Sequence, residues 1–506
     1  MSKPALDQAP PETLTNRLQS KLSNRESTPD FDLYGSVNEV LSDIGLTAAD
    51  SGGKGSFYGQ DPILPSPHRF GAMAAVGLAV RSVALAALWK DRTGEGQDIH
   101  VDVRKALRRF YGFFEGKWET INGRGPVMVD RNNPFWELPP FRKTRDGRHV
   151  MGVNIYPGLH SRSINLLKCS DNAESVNNAI GQWRADELEA AAQEAGLPFA
   201  KVRTTEEFLK VPQFTEVLSG MPLITLEKIG ESEPMPFKPD AKSPLDGIRA
   251  LGMGHVVAGA AMGRDLAYYG GDVLNVWRPT DTEIESFIWD VQVGMRSTVL
   301  DSSKEDRARF DGLLNDADVF FSNRRPGYLE RYGLTAEELS QKHPGLIHAK
   351  VVLNGERGPW GNWVGFDEIG AAVSGVFANE GTLAQPSMPP IIPICDNVVG
   401  WLGTAGILEA LRRRAVEGGS YRVVVSLTRT VLWLLSMGIF DKAYAQETAG
   451  STDEHTSVAP DLFTAETPLG TYQGMTDQVV LSRTPGSFRT VLVPRGSSKP
   501  EWLEAR

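Results

Sequence analysis

Cysteine is nearly absent: Cys169 and Cys395 are the only two, and they lie far apart. They can form neither a disulfide framework nor a thiolate metal knuckle, and their scarcity fits a reducing, cytoplasmic setting. Histidine is almost as scarce, and its eight residues show no HxxxH or HExxH spacing, so no metal site is predicted. Excess positive charge is missing too. With 63 acidic against 53 basic residues the formal charge is −10, which removes the footprint of a nucleic-acid binder and makes any anion site a local one. No unbroken apolar run of about 18 residues indicates a membrane span. Residues 1–30 lack the apolar core of a signal peptide and carry acids that a transit peptide avoids, and read as a loose polar tail.

What is present is ordinary globular composition, 41 % hydrophobic, in a length sufficient for two or three domains. From Arg69 a long small-residue helix is apolar on nearly every side and is predicted to be buried; with the alternating D-I-H-V-D-V strand and a basic helix at Lys105 it forms a segment, 31–118, that packs on a larger domain. Residues 119–240 read as a small α+β unit, with a strand in D-G-R-H-V-M-G-V-N-I and a helix that stops at Gly196. Prolines and lysines over 234–244 mark a junction. From 244 to 440 strands and helices alternate as D-G-I-R-A-L-G-M, V-A-G-A-A-M-G-R-D-L-A-Y-Y, D-V-L-N-V-W, S-T-V-L-D, D-V-F-F-S and G-L-I-H-A-K-V-V-L. That spacing predicts an α/β domain with a parallel sheet covered on both faces, whose ligands bind beyond the carboxyl ends of the strands. Residues 441–506 are left as a C-terminal extension. One repeat stands out: helix, glycine turn, strand and helix over 86–106 recur over 409–430.

The candidate at the centre of the chain is Asp396, in P-P-I-I-P-I-C-D-N-V-V-G, where an apolar run turns into a small-residue helix. A carboxylate there is poorly solvated and close to unpaired N–H groups, which allows either a nucleophile or a helix cap. The first repeat copy has P-H-R-F-G-A-M in the equivalent place and no acid, which favours a special role for the second. Gly252 and Gly254 fit the start of a dinucleotide fingerprint, but Val257 stands at its third glycine. Trp277 and Arg278 stand where a ribose-binding acid would be. Arg278, Lys304, Asn323, Arg324, Arg325 and Arg331 fall at the same predicted edge of the sheet, as does His255, and together suit a phosphorylated nucleotide. Cys395 reads as a structural thiol, and Asp367 with Glu368 as acids at the start of a helix.

The stretches P-L-D-G-I-R-A-L-G-M-G-H-V-V-A-G, A-D-V-F-F-S-N-R-R-P-G-Y-L-E-R-Y-G-L and G-P-W-G-N-W-V-G-F-D-E-I-G-A-A-V-S-G resemble the family III CoA transferases of CaiB/BaiF type, a group that includes α-methylacyl-CoA racemase. Residues 69–240 resemble the later part of the same family, so the halves stand in permuted or fused order. The resemblance implies a Rossmann-like parallel sheet with a smaller α+β domain, and transfer of CoA between an acyl-CoA and a carboxylic acid through aspartyl anhydride and aspartyl-CoA thioester intermediates. It implies Asp396 as the catalytic acid and CoA contacts at His255, Val256, Arg278, Lys304, Asn323, Arg324 and Arg331. Coenzyme A is then a cosubstrate, with no permanently bound cofactor, no nucleic acid and no membrane. An interlocked homodimer and a chain that completes its own ring both stay open, as do a racemase or isomerase and a non-catalytic CoA-ester binder. Phe366 stands where the racemase histidine is expected, and no counterpart of the glycine-rich loop found in some transferases is present.

Overall fold

A computed structural model describes residues 12–127 and 140–504. Its main feature is a seven-stranded sheet of β1 (Thr225–Gly230), β2 (Arg249–Met253), β3 (Asp272–Trp277), β4 (Arg296–Val299), β5 (Val319–Ser322), β6 (Ile347–Val352) and β7 (Ser420–Ser426). The order across the sheet is β4-β3-β2-β5-β6-β7-β1. Strands β2 to β7 are parallel and β1 is antiparallel to β7. The parallel strands are almost entirely buried, as helices on both faces require. The chain reverses direction across the sheet between β2 and β5, so the crevice beyond their carboxyl ends is the expected ligand site.

Four helices matter for that crevice: α1 (Phe70–Thr93), α2 (Pro157–Leu167), α3 (Ala258–Tyr268) and α4 (Asp396–Glu417). Helix α1 is long and apolar enough to cross a bilayer, yet its apolar window is wholly buried within the protein, largely against α4. Helix α3 closes on the sheet through Gly259, where a Cβ would fall 2.4 Å from the Asn323 Cγ; this close approach takes over the part of the missing third glycine at Val257. Helix α4 lies against α3 through Gly400, whose Cβ would meet the Ala261 Cβ at 2.4 Å. Gly400→Val is therefore expected to cost about 1 to 3 kcal/mol through overpacking, read as a lower urea midpoint at unchanged slope.

The small unit carries a three-stranded antiparallel sheet (Phe141–Lys143, His149–Gly152 and Phe199–Lys201) with α2 and its neighbours packed on it around Val150, Leu188 and Phe199. Residues 128–139, which the small-unit reading includes, lie outside the described residues, as do 1–11 of the expected tail. The rest of that tail is not loose. Leu14–Ser23 is a helix capped by the Thr13 hydroxyl, with Leu18 buried, because Leu14, Leu18 and Leu22 recur at helical spacing. The junction at 234–244 is also not where the large sheet begins, since β1 joins it from upstream. The C-terminal extension is part of the same body: Val479–Leu481 pairs with Gln97–Asp102, and Gly470–Met475 pairs with Thr120–Ile121.

Candidate active site

The long helices that lead into the two repeat copies, α1 and α4, are both entered from an irregular segment, and each has a buried aspartate from elsewhere in the chain holding its first N–H groups. At α1 this is Asp61, which accepts from Gly71 N–H at 3.2 Å and Ala72 N–H at 2.7 Å. At α4 it is Asp367, whose Oδ2 accepts from Ile394, Cys395 and Asp396 N–H at 2.7, 2.6 and 3.1 Å. The first copy thus has its capping acid after all, placed earlier in the chain than the matching stretch. Neither copy uses the residue at the position of Asp396 to cap its helix.

That leaves the Asp396 side chain unengaged. It opens α4, is 6 % exposed, and its carboxyl has no hydrogen-bond partner among the described residues. Burial, then the charges of Asp367 and Glu368, push its pKa well above the ordinary aspartate range. Burial and Asp367 push Glu368 up likewise, so the charged forms of both acids are disfavoured. The Cys395 thiol is raised well above its usual range, chiefly by burial, and is a poor nucleophile there.

Asp396 lines a cavity of about 560 Å³ between the carboxyl edge of the sheet and the small unit. On the sheet side, at the reversal between β2 and β5, His255 and Val256 meet Asn323 and Arg324. Asn323 Nδ2 donates to the His255 carbonyl at 2.8 Å and its Oδ1 accepts from His255 N–H at 2.9 Å, which pins the turn. Val256 takes a φ of +56°, a strained value for a β-branched residue, and its N–H donates to Glu283 at 2.8 Å. Asp281 is the hub: it accepts from Arg278 Nε at 2.8 Å and from Arg324 Nη2 at 2.8 Å, and its Oδ2 lies 3.3 Å from His255 Nε2. Although burial opposes its charge, those three partners hold Asp281 well below the usual carboxylate range. Burial brings His255 down to about 4, so it stays neutral near neutrality. Both arginines also pack over the Tyr328 ring, at 5.3 and 5.4 Å.

The structure brings Asp396, His255, Val256, Arg278, Asn323, Arg324 and Arg325 to one cavity. It does not bring Lys304 or Arg331 there: both are exposed on helices whose side chains at those positions lie outside the lining. Sequence reasoning missed Asp281 and Glu283 in R-P-T-D-T-E-I, where the acids after β3 were the only signal that the arginines have a built-in counter-ion. It also missed Tyr156, which donates to Glu283 at 2.5 Å and stacks on Phe366 with ring centroids 6.1 Å apart.

With this geometry in place, residues 245–480 match the model of CoA-transferase family III. Over those residues, just under half of its length, the chain is similar to CoA-transferase family III. It is 31 % identical over 227 residues to the acetyl-coenzyme A transferase nodX of Hypoxylon pulicicidum, covering 42 % of this chain and 38 % of that one. To the alpha subunit of the succinyl-CoA–L-malate CoA-transferase of Chloroflexus aurantiacus it is 29 % identical over 262 residues, covering 46 % and 58 %. A solved structure of a CAIB/BAIF family protein from Brucella suis superposes with a TM-score of 0.36 at 25 % identity, covering 38 % of this chain and 56 % of that one. The chain thus spans about half the length of the relatives it matches. The family III match begins at β2 and takes in the whole cavity edge of the sheet, α4 and Asp396.

Proposed function

We propose that this protein transfers CoA between an acyl-CoA thioester and a carboxylic acid, with Asp396 as the group that is acylated. The observation that carries the reading is an aspartate freed from capping by Asp367, buried, unpaired among the described residues, and facing the same cavity as a paired-arginine cradle. The names of the relatives, an acetyl-CoA transferase and a succinyl-CoA–L-malate CoA-transferase, support the substrate class. Both cysteines are free, which supports the reducing, cytoplasmic setting.

In this reading the Asp396 carboxylate attacks the thioester carbonyl; the C–S bond breaks, CoA leaves as thiolate, and a mixed anhydride forms. The thiolate attacks the aspartyl carbonyl and displaces the acyl group as a free carboxylate, leaving an aspartyl-CoA thioester. The incoming acid attacks that thioester, expels the thiolate and forms a new anhydride. The thiolate then takes the new acyl group and restores the Asp396 carboxylate. Acyl activation is kept from thioester to anhydride to thioester, so the chemistry needs no redox step. The protein supplies a handle that keeps the thiolate near and a desolvated acid whose raised basicity makes it a better nucleophile once ionised.

Incubation with acetyl- or succinyl-CoA and hydroxylamine is expected to convert Asp396 to a hydroxamate, located by peptide mass spectrometry. Absence of the adduct, together with deuterium uptake from D₂O into the acyl α-carbon without an acceptor acid, would replace transfer by isomerisation on the same residue.

A further inference from the structure

Charge is spread unevenly over the cavity wall. Arg278 and Arg324 share Asp281, Lys350 lies 3.2 Å from Glu356, and Arg422 lies 2.8 Å from Glu227, so these cations of the lining each have an acid already. Arg162 and Arg278 both act on Arg325, which groups the remaining arginines with the cradle. At Asp396 the surroundings are the reverse. The charges that reach its carboxyl are those of Asp367 and Glu368, and no arginine or lysine among the described residues does. His255, the other basic group of the lining, stays neutral near neutrality.

What the wall offers beside Asp396 is aromatic and aliphatic. Phe366 directly precedes the Asp367 that holds the Asp396 N–H, and Tyr156 of the small unit stacks on it, with ring centroids 6.1 Å apart and planes 17° from parallel. Asp396 and Glu368 both act on Tyr156, so the ring pair stands close to the acid. The Tyr156 hydroxyl is already committed: it donates to Glu283 Oε1, which also accepts from Ile284 N–H at 3.0 Å, while Oε2 accepts from Val256 N–H at 2.8 Å. Tyr156 therefore offers a bound acyl chain its ring and not its hydroxyl. Leu427, whose carbonyl accepts from the Cys395 thiol, and Val364 add further apolar lining. A second carboxylate on the acyl chain would be buried here near two acids and without a cation, which costs far more than burying the methyl end of a chain of equal length.

Resting on the transfer reading and narrowing it, we infer that the compartment beside Asp396 takes the acyl chain of an apolar monocarboxylic acid and rejects a dicarboxylic one, with Tyr156 and Phe366 as the residues that set this choice. In this the chain parts from its Chloroflexus relative, whose name carries two dicarboxylates.

The test is calorimetric binding of CoA, butyryl-CoA, phenylacetyl-CoA and succinyl-CoA to the full chain carrying Asp396→Asn, which stops turnover and takes the charge of Asp396 itself out of the comparison. Butyryl-CoA is expected to bind about ten-fold or more tighter than succinyl-CoA, its match in chain length. An advantage shared by phenylacetyl-CoA assigns the compartment to aromatic chains as well; one confined to butyryl-CoA assigns it to aliphatic chains. Phe366→Arg, which puts a cation in place of a ring, is expected to move the ratio about ten-fold toward succinyl-CoA, and Tyr156→Phe, which keeps the ring, is expected to keep the ratio. In the protein with Asp396 intact the same preference should appear as a higher kcat/KM for transfer from acetyl-CoA to butyrate than to succinate. Succinyl-CoA binding as tightly as butyryl-CoA overturns the inference, and a ratio that Phe366→Arg leaves unmoved overturns the role of the ring pair. A missing Asp396 hydroxamate alongside a preserved butyryl preference would remove the transfer mechanism and leave the compartment standing.

Discussion

Asp396→Asn is expected to lower CoA transfer by about 10³-fold or more while CoA still binds, and at the same time to make the protein more stable above neutrality. The first effect follows from losing the only atom that can be acylated in the proposed cycle. The second follows from linkage. The Asp396 carboxyl is raised well above the aspartate range by burial and by Asp367 and Glu368. A group whose pKa is higher folded than unfolded contributes stability that is full below the unfolded value and is lost as pH rises through the folded value. Asparagine has no proton to lose, so its advantage grows with pH. Thermal midpoints of wild type and variant should lie close together at about pH 5 and separate by about pH 8.5. The same ionisation should appear in the wild-type rate, with kcat/KM rising with pH through a limb well above the ordinary aspartate value, since only the carboxylate attacks. A variant that turns over near normally would remove Asp396 from the chemistry. A stability gain equal at both pH values would show that the acid is not held protonated.

Much of this site was legible because its signals are local. The strand and helix alternation of 244–440, read from runs such as D-V-L-N-V-W and D-V-F-F-S, appears as β3 and β5, and the sheet-edge argument placed His255, Arg278, Asn323 and Arg324 correctly together. What the sequence hid depends on distance along the chain. The N–H groups at the start of α4 are held by an acid 27 to 29 residues earlier, so nothing beside Asp396 says that its own carboxyl is free. Lys304 has the right residue type beyond β4, but it opens the helix Lys304–Asn315 exposed on the surface and is not among the residues that line the crevice. Strand β1 escaped notice because T-L-E-K-I-G is polar enough to be an edge strand, paired on one side only. The tail helix was masked by polar residues between its leucines.

The largest stability effect is expected far from the cavity, at Arg81. This residue sits within V-R-S-V-A-L-A on an otherwise apolar α1 and is fully buried, with Nη2 2.5 Å from Asp477 Oδ2 and Nη1 3.8 Å from Asp265 Oδ1. Tyr269 also donates to Asp477, at 2.5 Å, and Arg109 pairs with Asp290 at 2.5 Å nearby, so α1, α3 and the C-terminal extension are joined through one buried ionic cluster. Arg81→Met leaves Asp477 buried without its cation and should cost about 3 to 5 kcal/mol, whereas Arg81→Met with Asp477→Leu should recover much of it, because the desolvation of the pair is removed along with its attraction. A single variant as stable as wild type in urea would mean that the pair contributes nothing net. The acids around the pair add a pH signature of their own. Burial lifts Glu119 to about 8 and Asp265 to about 6, so both hold protons that they give up as pH rises, and the cluster loses stability across that range. Glu119→Gln keeps the shape and has no proton to give up. Its midpoint should fall less than that of wild type between about pH 6.5 and about pH 8.5, and an equal fall in both would place the alkaline loss at some other group.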